Sequence, residues 1–292
     1  MKIKPSDWSD VQGALRHCDR FLRAKLRPVL GPASRRLLRE AQWFSVRSEF
    51  STLRTSTPLP FVVATHHTPL MRPLLRLDER LQLNKIVNLR IASALLDGLV
   101  LAPGQRLSFW KLVRKPTYRR GFKDGLVLKQ GQLSSGVGGG LCQMTNLLYW
   151  MTLHTPLTVA ERWRHSYDVF PDANRTQPFG SGATCSWPVL DLQIVNHTSA
   201  TYRLSLAVEA NDLRGAWTSS IPRAKRYLIQ ERSHLVTHDG PATYTRHNEL
   251  WRIETDEETG ERFEEFLVSN EAKLMYDPFL PPAPEERGAG GR

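Results

Sequence analysis

Apolar and polar positions alternate with a helical period at the start of the chain. Trp8, Val11, Leu15, Cys18, Leu22 and Leu26 recur at steps of three and four, which puts them on one face of a helix with Arg16, Arg20, Arg23 and Lys25 elsewhere. Ser6 is the expected N-cap and Pro28 the stop. A second short helix carrying Leu37, Leu38, Ala41 and Phe44 follows Gly31-Pro32. Residues 51–76, with Pro58, Pro60, Pro69 and Pro73, read as an irregular linker holding one strand over 61–64. Over 78–96 apolar residues cover most sides, the mark of a core helix, and Gly98 sits where a C-terminal cap belongs. Strands are expected over 105–110, after the Pro103-Gly104 turn, and over 126–129, which leads through Gly131 into a glycine-rich loop. A buried helix follows over 144–153, then a strand over 157–163 and short β segments over 190–195, 202–208 and 226–230. The fold class is therefore α+β, with the core helix and the glycine-loop helix packed on an antiparallel sheet and a helical segment in front.

Three regions follow from this pattern: a basic N-terminal helical segment with its linker over 1–76, an α+β domain over 77–248, and an acidic segment over 249–292 that frays after about residue 278. The chain of 292 residues is long enough to bury a core without disulfides or metal. Its net charge of +11 is unevenly placed: residues 1–54 hold 12 Lys/Arg against 5 Asp/Glu, and residues 249–292 hold 5 against 12. The body is thus basic, but its arginines are spread through strands and do not read as a nucleic-acid stripe, so no nucleic acid is expected. The basic helix at the start is expected to dock on the domain it precedes, with peripheral contact to anionic membrane as the alternative. The start of the chain lacks the apolar core of a secretory signal, and no apolar run is long enough to span a membrane. A cytoplasmic protein is expected, with the inner membrane face as its alternative site of work, and three scattered cysteines suit a reducing setting.

The candidate chemistry gathers at Gly136-Val137-Gly138-Gly139-Gly140-Leu141-Cys142-Gln143. Four glycines in five positions free the backbone for tight turns and deliver a cysteine to a helix start. There the partial positive charge of the helix favours thiolate over thiol. His165, at the end of the following strand, is the expected proton carrier, making Cys142 and His165 the candidate catalytic pair. Gly138, Gly139, Gly140 and Gln143 are the candidate binding residues, through backbone or side-chain donors for a developing oxyanion, together with Ser166 and Arg162. The competing reading is a packed cysteine and a histidine that satisfies a backbone carbonyl. The glycine run is not a phosphate loop, because Leu141-Cys142-Gln143 stands where Gly-Lys-Ser/Thr is required. His66-His67 has no acid or cysteine at ligand spacing, and Cys142, His165 and Cys185 lack any short ligand pair, so neither metal nor cofactor is expected.

The run Gly138-Gly139-Gly140-Leu141-Cys142-Gln143-Met144-Thr145-Asn146-Leu147-Leu148 resembles the signature of the VanW family. Matching pieces flank it in order: Asn88-Leu89-Arg90-Ile91-Ala92, Leu96-Asp97-Gly98 and Ala102 to Trp110 before it, then His154-Thr155-Pro156, Glu161-Arg162, His165-Ser166, Gly182-Ala183-Thr184, Asp191-Leu192 and Asn196 after it. Gly182 is a departure, standing where many members carry an acidic residue before Ala-Thr. The resemblance implies an accessory factor of cell-wall or glycopeptide-resistance physiology that binds an envelope precursor or a partner protein. The residues themselves point to the alternative, a cysteine-dependent acyl or peptidyl transferase or hydrolase.

Overall fold

The structure, a computed structural model, describes residues 31–71, 78–129, 132–165, 167–168, 177–241 and 243–278. The helix expected over 6–26, Ser166 and the frayed end after residue 278 lie outside the described residues. The chain divides into two compact units, Met1–Ser48 and Glu49–Arg292. In the first, α1 spans Pro32–Ser45, with proline in its first turn and Arg39 stacked on Trp43 one turn later. The break expected at 76/77 falls inside the second unit, because the strand expected over 61–64 extends as β1 (Phe61–Pro69) and pairs along its length with a strand far down the chain.

The second unit is α+β and rich in sheet. After β1 come α2 (Glu79–Leu96), β2 (Val100–Leu101), β3 (Arg106–Ser108), α3 (Phe109–Val113), β4 (Asp124–Lys129), β5 (Gln132–Val137) and α4 (Cys142–Leu153). Then follow β6 (Thr158–Glu161), β7 (Tyr167–Asp168), β8 (Gln193–Val195), β9 (Tyr202–Val208), β10 (Asp212–Ser219), β11 (Lys225–Gly240), β12 (Thr243–Asp256) and β13 (Arg262–Leu274). One antiparallel sheet has the order β1-β10-β9-β2; a smaller one is β3-β8-β6; β4 and β5 form a hairpin; and β11-β12-β13 is a long meander with β7 parallel to its last strand. α2 packs on β9 and β4, and α4 on β1, β10 and β6. Met144, Leu147, Leu148 and Trp217 lie fully buried between them. No helix among the described residues is long and apolar enough to cross a membrane.

Local chemistry explains where the elements depart from expectation. The strand expected over 105–110 stops at Ser108, whose hydroxyl caps α3 by accepting from Lys111 N at 3.1 Å while Asp191 accepts from Trp110 N at 3.0 Å. Capping a new helix overrides the alternating pattern there. α2 buries one face only, and that face mixes Leu89, Ala92 and Leu96 with Lys85, Asn88 and Ser93, while Leu83 is exposed. β5 was expected as part of a loop because its exposed Leu133-Ser134-Ser135 offers no buried alternation; it forms through the register of the hairpin. The boundary expected at 248 lies within β12, and residues 249–274 complete the meander. Their carboxylates meet cations across it, Glu265 with Arg252 at 2.6 Å and Glu264 with Arg232 at 2.9 Å, so an acidic composition is compatible with a sheet.

Candidate functional site

The glycine loop is held from beneath by α2. The buried Asn88 donates from Nδ2 to Gly139 O at 2.9 Å and Lys123 O at 3.0 Å, and accepts from Lys123 N at 2.8 Å. Asn84 one turn earlier donates to Asp124 O at 2.8 Å. Gly139 passes so close to Gly125 that a Cβ on it would lie 2.1 Å from the Gly125 carbonyl. Gly140 takes φ of +87°, a left-handed conformation that glycine enters without a steric penalty. These contacts turn the chain at Leu141 into α4, whose first residue is Cys142.

Cys142 meets a second segment, 182–186. Asn146 Oδ1 accepts from Ala183 N at 2.6 Å, and Thr145 Oγ1 donates to Ala183 O at 2.6 Å, fastening that segment to the first turns of α4. Cys142 Sγ then lies 3.4 Å from Thr184 Oγ1, 3.7 Å from Cys185 O and 3.9 Å from Cys185 Sγ. Both cysteines are free and half-buried. The Cys185 thiol, donating to the Cys142 sulfur, is the main influence holding Cys142 well below the usual thiol range; burial opposes it, and His165, by hydrogen bonding and charge, and Thr184 add to the lowering. Cys185 is pushed well above the usual range, by burial first and then by the neighbouring Cys142. The two shifts run in opposite directions, so ionisation of the pair is favoured at Cys142 over Cys185.

The remaining candidate residues have varied placements. His165 is exposed and close enough to Cys142 to influence its ionisation. Gln143 points elsewhere: its Nε2 donates to Thr68 Oγ1 at 2.9 Å and Pro69 O at 2.8 Å, tying α4 to β1. Gly138 N and Gly139 N already donate to Lys123 O and Gly136 O, so these two amides do not aim at the sulfur. Arg162 lies over the Tyr149 ring at 4.7 Å and donates to Gly180 O and Gly182 O, the latter from Nε at 2.9 Å and Nη2 at 2.7 Å. It clamps the 180–182 turn. The oxyanion donors expected from the Gln143 side chain and from the Gly138 and Gly139 amides are thus engaged in holding the fold.

Cys185, which the sequence presents only as part of a metal set lacking a short ligand pair, is the participant that the structure adds beside Cys142. Its place directly after Gly182-Ala183-Thr184 was the available signal. Among the described residues no group of three or more His, Cys, Asp or Glu side chains is arranged to hold a metal ion. His66 binds Gln177 at 2.6 Å and faces Trp150, with its pKa lowered by burial and then by His67 and His154. A surface concavity on the β1-β10-β9 sheet is lined by His67, Arg203 and Arg214. Its arginines are engaged, Arg203 with Thr55 O at 2.9 Å and Arg214 with Glu209 at 2.7 Å.

Comparison with known proteins agrees with the sequence likeness. Residues 84–218 match the family described as VanW like protein. The chain is 34% identical over 196 residues to the vancomycin B-type resistance protein VanW of Enterococcus faecalis (strain ATCC 700802 / V583), covering 67% of this chain and 71% of that one. It is 30% identical over 109 residues to the uncharacterized protein YoaR of Bacillus subtilis (strain 168), covering 37% of this chain and 34% of that one. No solved structure matches.

Proposed function

The chain belongs to the VanW family, and from that premise we propose that it serves as a VanW-like accessory factor in the cell-wall response to vancomycin-type glycopeptides. In this reading it works from the cytoplasmic side of the envelope and engages an envelope precursor or a partner protein through the surface around Cys142. One observation carries the reading: the span matched by the family, 84–218, contains every part of the Cys142 neighbourhood, from Asn88 and the glycine loop through α4 to His165, Thr184 and Cys185.

A second reading is favoured by the lowered pKa of Cys142. A thiolate beside an imidazole suits acyl or peptidyl transfer. Cys142 would attack a carbonyl to form a thioester, the leaving amine would take a proton from His165, and water or an acceptor amine would release the acyl group. The engaged amides of Gly138, Gly139 and Gln143 weigh against it, since acyl transfer draws much of its acceleration from oxyanion donors.

Complementation separates the two. The chain is expressed in an Enterococcus faecalis strain lacking its VanW, and growth under sublethal vancomycin is followed. The accessory reading expects restored growth with both the natural chain and Cys142→Ser. Loss of restoration with Cys142→Ser at unchanged protein level supports the enzyme, and no restoration by either overturns the proposed role.

A further inference from the structure

We propose that Cys142 and Cys185 form a two-thiol redox centre that reduces a disulfide, with Cys142 as the attacking thiol and Cys185 as the resolving thiol. The two sulfurs are 3.9 Å apart and both are free. A disulfide needs them at about 2.05 Å, an approach of about 2 Å that rotation about the Cα–Cβ bonds can provide. The backbone on both sides is fixed for this meeting. Cys142 is held by the glycine loop at the start of α4. Cys185 stands between two bridges, Trp163 with Thr184 and Ser186 with Leu190, while Thr145 and Asn146 fasten Ala183 to α4.

The two thiols are also unlike each other in the sense that such exchange requires. Ionisation is favoured at Cys142 and disfavoured at Cys185, so attack begins at one defined sulfur. The Cys142 thiolate bonds to one sulfur of a small-molecule disulfide, breaking its S–S bond and expelling one thiolate. Cys185 then loses its proton and attacks Cys142 Sγ, breaking the mixed disulfide and expelling the second thiolate. The proton from Cys185 and the one Cys142 released on ionising end on the two departing thiols. The protein dithiol is oxidised to a disulfide, and the substrate disulfide is reduced to two thiols. His165, exposed beside Cys142, is placed to pass the protons.

This deepens the reading of Cys142 as the reactive residue of the site, and its test fails separately from that reading. The reduced full chain is mixed with oxidised glutathione, quenched in acid, alkylated with N-ethylmaleimide, and read by intact mass and peptide mapping without reductant. The natural chain is expected to lose the mass of two hydrogens and yield a Cys142–Cys185 crosslinked peptide, with Cys18 alkylated. Cys185→Ser should stop at a glutathione adduct on Cys142, present at about ten times or more its level in the natural chain. Cys142→Ser should take up glutathione on Cys185 at least about ten times more slowly. A stable Cys142 adduct in the natural chain, or a crosslink to Cys18 in place of Cys185, overturns the redox centre while leaving a reactive Cys142 intact. Slow modification of Cys142 itself overturns both.

Discussion

Asn88 and Gly139 are joined across the interior by a 2.9 Å hydrogen bond from the Asn88 side chain to the Gly139 carbonyl, linking a helix to the loop that sets Cys142 in place. The same amide donates to Lys123 O and its oxygen accepts from Lys123 N. Replacing Asn88 with alanine leaves the Gly139 carbonyl and the Lys123 N–H without their partner, while Lys123 O keeps its bond from Gly138 N, so a loss of about 2 kcal/mol in denaturant unfolding is expected. Asn88→Asp keeps the acceptor for Lys123 N and loses both donations, and it should be no more stable than Asn88→Ala.

Gly139 admits no side chain. A Cβ would lie 2.1 Å from backbone atoms of Gly125, and that neighbour is itself a strand residue of β4 with no room to retreat. Gly139→Ala is expected to destabilise by more than about 2 kcal/mol. It should also slow alkylation of Cys142 more than that of Cys185, because the loop must move first. Equal slowing of both thiols would mean that the damage is global.

Much of this site could be read from residue order. The glycine run, the helix after it and the cysteine at its start all follow from local chemistry, and so does α2, which begins at the Asp78 cap and ends before Gly98 with φ of +77°. What stayed hidden was long-range. Asn88 reads as a polar interruption of a core helix, and only folding reveals that its amide answers the Gly139 carbonyl 51 positions later. Cys185 gains its role from Ala183, which is fastened to Thr145 and Asn146 by bonds that no spacing rule contains. The meander was foreseen only as a fragment over 226–230, because charge pairs between its strands stand in for an apolar face in many places. Gln143 and Arg162 were legible as donors near the site but not in their direction, which is set by β1 and by the 180–182 turn.

The thiol pair should give stability a distinct pH dependence. Cys142 has its pKa lowered on folding, so as pH rises from its folded value toward the ordinary thiol value of about 8.5, the unfolded chain holds more protons and stability increases. Cys185 has its pKa raised on folding, so above about 8.5 the folded chain holds more protons and stability declines. Denaturant midpoints measured across this range should therefore peak near the ordinary thiol pKa. In Cys185→Ala the decline at high pH should disappear and the rise below it should weaken, since Cys185 is the main cause of the Cys142 shift. Iodoacetamide titration provides the matching readout: the Cys142 midpoint should move up in Cys185→Ala and by a smaller amount in His165→Ala, in the order of their influence.

Arg162 controls the other wall of the site without touching the sulfur. Its guanidinium donates to Gly180 O and Gly182 O while stacking on Tyr149 of α4, so one planar group ties the turn to the helix. Three residues past Gly182, that turn presents Cys185 to Cys142. Lysine at 162 keeps the charge but has a single ammonium in place of the fork, and it cannot hold both carbonyls in the guanidinium plane. Arg162→Lys is expected to cost about 1 to 3 kcal/mol in stability. If the turn moves, the Cys185 thiol withdraws from Cys142, the Cys142 alkylation midpoint rises toward the ordinary thiol value, and disulfide formation with oxidised glutathione slows. An Arg162→Lys variant that is destabilised but keeps the Cys142 midpoint would show that Thr145 and Asn146 alone position the 182–186 segment.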